Sequence, residues 1–303
     1  MIDLSGLRII ELGGGVSAAW ATKWMADLGA DVIKVECPAG DPLRQRGPFS
    51  ETDGEPDPEK AGFFHYLNAN KRSLVLDLDN PSKQEELIQL IGTAQAVVHN
   101  LSAQRLEEIS IQWEDLHALF PDLVLCSLTP FGLTGPHRHW RAEEITVANA
   151  GGWAYLSPGT STEKDRPPLK ASGHQADLQT GTTGAFGTLA ALYRARQTGQ
   201  GEHLDVAGQS VVGCMLEASL PRFTYSGEVA DRFGRKGLNP WGLYACQDGL
   251  IFLMVAEEDQ WQRLVDLMGR PDWAELEIFA KMSDRFLNAD ALENIKHRLD
   301  VSR

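Results

Sequence analysis

Apolar runs of strand length alternate with stretches of helical periodicity along most of the chain. Leu7–Leu12 is a compact apolar run that predicts a buried strand, broken by Gly13-Gly14-Gly15. From Ser17 to Leu28, Trp20, Trp24 and Leu28 fall in one row with Ala21 and Met25 beside it, which predicts a helix closed by Gly29. Asp31–Val35 predicts a second strand, ending at Glu36. The polar segment Pro38–Gly62 is rich in Pro, Gly, Asp and Glu and predicts a long loop of the kind that carries function. Strands are predicted again over Ser73–Leu78, Ala96–His99, Leu123–Leu128 and Glu202–Val206. The helical periods between and after them cover Pro81–Ile91, Glu114–Leu119, Glu143–Ala150, Asp177–Arg196 and Gln209–Leu220. Gly181, Gly184, Gly187 and Ala190 form a stripe of small residues on the longest helix, against which another backbone can pack closely. Strands alternating with helices argue for a parallel sheet covered on both faces.

The pattern changes after Pro221. Arg222–Gly242 is basic and loop-like, Gly242–Ala256 predicts two strands joined at Gln247-Asp248-Gly249, and Glu258–Met268 and Asp290–Leu299 predict amphipathic helices. The expected organisation is a large α/β domain over 1–220 and a linker with part of a smaller domain over 221–303.

Charge narrows the partners. The 303 residues carry 28 Lys and Arg against 42 Asp and Glu, a net charge of −14. A field of that sign repels nucleic-acid backbones and anionic lipid, so neither is expected as a partner. No apolar run approaches the ~18 residues of a membrane span, and Met1–Gly6 has no secretory pattern, so a cytoplasmic protein is expected. Cys37, Cys126, Cys214 and Cys246 are scattered without a C-x-x-C pair, and no His/Cys cluster suggests a metal.

Three features carry candidate chemistry. Gly13-x-Gly15-x-x-Ala18, between a strand and a helix, fits a dinucleotide fingerprint in which Glu36 would hold a ribose. Any parallel α/β protein also needs a tight turn there. Basic pairs in this acidic chain, Arg44 with Arg46, Lys71 with Arg72, and Arg138 with Arg141, lie in loops or near strand ends, where they could neutralise a polyphosphate. Asp177 opens the longest helix, three residues after His174. Aspartate is a favoured helix N-cap, and a carboxylate at a helix N-terminus can also serve as a covalent nucleophile toward an activated carbonyl. Spacing alone leaves both readings open.

Longer stretches resemble a known family. They include Leu4-Ser5-Gly6-Leu7-Arg8-Ile9-Ile10-Glu11-Leu12, Leu28-Gly29-Ala30-Asp31-Val32-Ile33-Lys34-Val35-Glu36, Gly40-Asp41-Pro42-x-Arg44 and Asn68-x-Asn70-Lys71-Arg72-Ser73. Phe131-Gly132-x-Thr134-Gly135-Pro136, Asp177-x-x-Thr180-Gly181 and Tyr193-Arg194-Ala195-Arg196-x-Thr198-Gly199-x-Gly201 follow in order. From Leu4 to about Leu299 the chain resembles the family III CoA-transferases, which include formyl-CoA and carnitine-linked enzymes and the related acyl-CoA racemases.

The resemblance implies an α/β fold, a Rossmann-like parallel sheet with helices on both faces and a smaller α+β domain. It places the nucleophile on Asp177, with Glu143 and His174 as candidate acid/base neighbours. CoA contacts fall on Val16, Cys37, Arg44, Lys71, Arg72, Leu76, Asn100, Leu101 and Arg141. The implied substrates are an acyl-CoA thioester and a carboxylate acceptor, with no metal and no cofactor besides CoA itself as thioester substrate. The chain departs from the family pattern at several points. Val16 replaces a polar residue and Ala18-Ala19 a Gly-Pro pair; Cys37 and Glu108 replace arginines; Leu101 replaces an aromatic residue and Glu143 another; and the loop Gly237-Leu238-Asn239-Pro240 is short. Losing two cations is expected to weaken CoA binding. Family chains run further and interlock as homodimers, so an incomplete, self-associating protein that needs a missing C-terminal segment or partner subunit is expected. The competing readings are a racemase of the same fold, a catalytically weakened paralogue or subunit, and an NAD-dependent oxidoreductase. The absence of a His at 143–144 favours transfer over racemisation.

Overall fold

The computed structural model describes residues 3–50, 57–157, 165–232, 240–246, 248–289 and 291–292. Its contacts divide the chain into two units, 1–155 with 168–229, and 156–167 with 230–303.

In the larger unit the elements run β1 (Arg8–Leu12), α1 (Val16–Asp27), β2 (Asp31–Glu36), α2 (Gly62–Asn68), β3 (Arg72–Val75), α3 (Pro81–Ile91), β4 (Ala96–His99), α4 (Ala103–Glu108) and α5 (Trp113–Leu119). They continue with β5 (Val124–Thr129), α6 (Glu144–Ala150), α7 (Gln175–Thr198), β6 (His203–Ala207), α8 (Gly208–Cys214) and α9 (Ser219–Ser226). All six strands are parallel, in the order β3-β2-β1-β4-β5-β6. Ile9 pairs with Val32 on one side and Ala96 on the other. This is the doubly wound arrangement expected from the alternation of strand and helix patterns.

Two apolar layers sandwich the sheet. Ile9, Val32, Val98, Cys126 and Leu128 pack against Ala21 and Met25 of α1 and Ala185, Ala191 and Leu192 of α7. The alternate residues Ile10, Ile33, Val35, Val97 and Leu125 pack against Leu87 and Ile91 of α3, Leu106 of α4 and Leu116 of α5. β4 and β5 are buried along their whole length, as central strands covered on both faces are, and they read as largely apolar with His99, Ser127 and Thr129 as the polar positions. The edge strand β3 is exposed along its length.

Within the stripe of small residues, Gly181 faces α1, Gly184 faces β5 and Gly187 faces β6. A Cβ at Gly181 would come within 2.5 Å of the Ser17 carbonyl oxygen, and one at Gly184 within 2.5 Å of Leu128 Cδ2. Gly187 has more room, with Leu204 Cδ1 at 3.4 Å.

Three segments differ from the sequence expectation. The described residues of the loop 38–62 form two 3-10 turns, Pro42–Gln45 and Pro58–Lys60, and the loop is followed by α2, which buries Phe64 and Leu67. Helix α4 is capped by Ser102, whose Oγ accepts from Arg105 N. The helix predicted over Gln209–Leu220 is two helices, because Met215 N and Leu216 N bond to Val212 O and Gly213 O and tighten the chain into a turn. The second of them, α9, runs through Ser226 into the segment expected to be loop.

In the smaller unit β7 (Trp241–Cys246) and β8 (Gly249–Met254) form an antiparallel hairpin. Helices α10 (Glu258–Leu267) and α11 (Met282–Leu287) follow. Val255, Trp261, Val265, Ala274, Phe279 and Leu292 form its core. Gln247 of the predicted turn, Gly237–Asn239 of the short loop, and all but residues 291–292 of the helix expected over 290–299 lie outside the described residues.

Candidate active site

The strand order reverses between β1 and β4, so the loops leaving their carboxyl ends diverge and open a crevice. A pocket of about 220 Å³ lies there, lined among others by Gly14, Gly15, Val16, Asn100, Thr129, Glu143, His174 and Asp177.

The glycine turn after β1 forms one wall. Gly13 and Gly15 have φ of 100° and 87°, backbone conformations that L side chains rarely adopt. Asn100, one residue past β4, donates from Nδ2 to Gly14 O at 2.6 Å and ties the two diverging loops together. A side chain at Gly13 would collide with that amide.

Below the turn lies a buried set of charges. Glu11 accepts from Lys34 Nζ at 2.6 Å, Lys71 Nζ at 2.8 Å and Thr22 Oγ1 at 2.6 Å. Lys34 Nζ also sits 2.7 Å from Asp41 Oδ2, and Asp41 Oδ1 accepts from Leu43 N at 2.7 Å. Burial pushes the Glu11 carboxyl up, but Lys34 and Lys71 outweigh it and hold the group at about 2. Two cations facing two carboxylates make the burial tolerable, because each charge keeps a partner.

The opposite wall is the start of α7. Asp177 is the third residue of that helix, so it is not the N-cap; His174 occupies the capping position and its side chain makes no capping bond. The helix start is held instead by Glu144, the first residue of α6. Glu144 Oε1 accepts from Ala176 N at 3.1 Å, and Oε2 pairs with Lys170 Nζ at 2.8 Å. Lys170 Nζ also donates to Gly173 O at 2.5 Å, which fixes the turn entering the helix. His174 Nδ1 lies 3.3 Å from Asp177 Oδ2, and its ring stacks on Phe63 of α2 with centroids 5.4 Å apart. Burial raises the Asp177 carboxyl above its ordinary range; His174 opposes this, while Glu144 and Glu143 add to it. The Thr129 hydroxyl is buried in the pocket wall with no hydrogen-bond partner among the described residues, so it is available to a ligand.

The structure brings Gly15, Val16, Arg46, Asn100, Glu143, His174 and Asp177 to the pocket and leaves the other predicted residues outside its lining. Lys71 Nζ is buried and donates to Glu11, Ala19 O and Asn68 Oδ1. Arg72 forks onto Asp31 at the amino-terminal end of β2, the sheet end opposite the pocket. Arg44 donates two bonds to Glu36, at 2.8 and 3.0 Å, and stacks on Phe64. Leu76 is buried and Leu101 half-buried in the core beneath α3. The exposed Cys37 has Sγ 3.4 Å from Gly40 O. Glu108 pairs with Arg105. Arg141 is exposed and makes no ion pair among the described residues. Glu36 is also unavailable for a ribose: besides Arg44, it accepts from Ser73 Oγ at 2.6 Å and Asp41 N at 3.0 Å.

Sequence reasoning missed Lys170, Phe63 and Thr129. Phe63 sits in an aromatic run that could have marked α2, whereas nothing in the pattern singles out Lys170.

A family model described as CoA-transferase family III matches residues 4–300. A succinate–glutarate CoA-transferase of Agrobacterium fabrum is 33% identical over 269 residues, covering 88% of this chain and 66% of that protein. A succinyl-CoA:mesaconate CoA-transferase of Haloarcula hispanica is 33% identical over 276 residues, covering 89% of this chain and 68% of the other. The chain thus spans about two thirds of the length of these relatives. Among solved structures, a CAIB/BAIF family protein from Brucella suis matches with a TM-score of 0.79 and 30% identity, over 99% of this chain and 78% of that one. A hypothetical protein from Mycobacterium tuberculosis matches with a TM-score of 0.84 and 26% identity, over 100% of this chain and 79% of the other.

Proposed function

Because the chain belongs to CoA-transferase family III, we propose that it transfers CoA from an acyl-CoA thioester to a carboxylic acid, with Asp177 as the covalent nucleophile. The observation that carries this reading is the place of Asp177: on the first turn of a long helix, in a pocket at the carboxyl ends of the strands, beside His174. The relatives named for succinate, glutarate and mesaconate point to small organic acids as the exchanging partners.

In this reading an Asp177 carboxylate oxygen attacks the thioester carbonyl. A C–O bond forms, the C–S bond breaks, and CoA leaves as its thiolate. The thiolate then attacks the Asp177 carbonyl of the resulting anhydride, releases the acyl group as a free carboxylate and leaves an aspartyl-CoA thioester. The acceptor carboxylate attacks that thioester and forms a second anhydride, expelling the thiolate. The thiolate attacks the acceptor's carbonyl, so CoA departs on the acceptor and Asp177 returns as a carboxylate. One thioester is exchanged for another, so little driving force is needed. The site must mainly keep water from the anhydrides. The N-terminus of α7 offers a positive end to the charge that develops on oxygen. His174 orients the attacking carboxylate. In this reading the Thr129 hydroxyl and the glycine turn would meet the thioester end of CoA, and Arg141, which has no ion pair among the described residues, would meet a phosphate.

The protein incubated with succinyl-CoA and then with hydroxylamine should carry a hydroxamate on Asp177, read by peptide mass spectrometry. Asp177→Asn should show neither the label nor transfer, with loss of about ten thousandfold or more in kcat and an unchanged circular-dichroism spectrum. Full transfer by the Asn variant would remove Asp177 from the mechanism.

A further inference from the structure

Of the cations at this end of the sheet that have no internal partner among the described residues, Arg46 and Arg141, only Arg46 lines the pocket. Arg44 is committed to Glu36 and Glu59, Lys71 and Lys34 to Glu11, and Lys170 to Glu144. Arg46 lines the pocket and makes no ion pair and no side-chain hydrogen bond among the described residues. It is also the one Lys or Arg among the pocket's described lining residues, which include the carboxylates of Asp177, Glu143 and Glu144. Its backbone is well anchored. Arg46 N bonds to Leu43 O at 3.1 Å, closing a 3-10 turn whose cap is the buried Asp41 and whose Leu43 is inserted in the core. An exposed side chain with no partner among the described residues is thereby carried on an anchored backbone at the pocket.

We propose that Arg46 binds the second, non-reacting carboxylate of a short dicarboxylic acid and so makes the pocket selective for dicarboxylates over monocarboxylates. The inference rests on the transfer reading and names its substrate class. The physical reason lies in which charges persist. The carboxylate that reacts loses its charge when it enters the anhydride, and Asp177 loses its own in the aspartyl thioester. A second carboxylate on the substrate keeps its charge throughout, in a pocket that already holds the Glu143 carboxylate. Without a fixed counter-charge it would be repelled and poorly solvated there. A guanidinium is charged at every working pH and offers a two-pronged match to a carboxylate. A cavity of about 220 Å³ accommodates an acid of succinate's size.

Succinate and butyrate, equal in carbon number and unequal in charge, form the test. In steady-state transfer the unaltered protein should prefer succinate. Arg46→Gln should lower kcat/KM for succinate about ten- to hundredfold, the loss expected for a charge-assisted contact, and leave butyrate within about threefold. Arg46→Lys should restore part of the difference. Calorimetry in the Asp177→Asn background, where residue 177 is neutral as in the thioester, gives a second readout independent of turnover. Succinate should bind there with a salt-sensitive affinity that Arg46→Gln removes. If such binding occurs but no transfer is ever seen, the transfer reading fails and the carboxylate site stands. Equal losses for succinate and butyrate would overturn the proposal. So would an equal loss of affinity for CoA itself, which would assign Arg46 to a phosphate, or succinate binding unaffected by Arg46→Gln.

Discussion

Asp177 shows how neighbours set the chemistry of one residue. Its carboxyl is raised first by burial and then by the like charges of Glu144 and Glu143, against the opposing pull of His174. A nucleophilic carboxylate must be ionised, so the acid limb of the activity profile should lie above the ordinary aspartate range. Glu143→Gln removes one like charge and leaves the Glu144–Lys170 tie intact. It should therefore shift that limb to lower pH, measured as kcat/KM against pH; a shift to higher pH would contradict the assignment of Glu143 as a raising neighbour. The residue type and the helix-start position of Asp177 were visible in the sequence. That Glu144, and not Asp177, satisfies the helix start was not, because the bond from Ala176 N joins residues 32 positions apart.

At the scale of elements, the packing of α7 on α1 and on the sheet is governed by atoms that are absent. Three glycines on one helix look alike in sequence but face different neighbours. Gly181→Ala meets the Ser17 carbonyl, a backbone atom that cannot move without displacing α1. It should cost about 1–3 kcal/mol, as overpacking does. Gly184→Ala meets the end of the Leu128 side chain, which can rotate away, so its cost should be smaller. Gly187→Ala has room and gains helix propensity, and should be neutral or stabilising by up to about 1 kcal/mol. Urea unfolding of the three variants should give that order; equal effects would mean that the close approach of the two helices does not govern stability here. The stripe was legible from its spacing, but which glycine is indispensable was decided by the partner backbone.

At the scale of the whole molecule, acid stability should follow a polar chain across the sheet. His99 of β4, Ser127 of β5 and His203 of β6 are joined by bonds of 2.6 and 2.8 Å. Leu101 N donates to His99 Nδ1 at 3.2 Å, so the neutral ring carries its proton on Nε2 and passes it toward Ser127. Protonating Nδ1 would set two N–H groups against each other in a buried site. Burial, with a smaller contribution from His203, lowers His99 from 6.5 to about 3. A lowered histidine favours the neutral form in the fold, so its contribution is fully present above pH 6.5. It is lost as pH falls from 6.5 toward 3, by at most about 1.4 kcal/mol per unit. Denaturation midpoints measured across that window should fall with pH, and more shallowly in His99→Gln. A native protein whose stability is flat from pH 6.5 to 4 would show that the ring titrates freely in the fold.

The order of the strands and of the longer helices was legible in the sequence alone, because hydrophobic periodicity and glycine or proline punctuation are local properties of the chain, whereas the short α2 and α4 and the break after α8 were not. The same local signals marked the glycine turn, the helix that carries Asp177 and the motifs of the family. Only the tertiary structure decided which charged residues face a ligand. Lys71 and Arg72 are adjacent in sequence, yet one side chain is buried against Glu11 and the other reaches Asp31 at the far end of the sheet. Arg44 and Arg46, two positions apart, divide in the same way between an internal partner and the open pocket. A charge becomes structural or free according to whether a counter-charge from a distant segment is brought within bonding distance. That is a property of how the segments pack, which the local pattern of the chain does not encode.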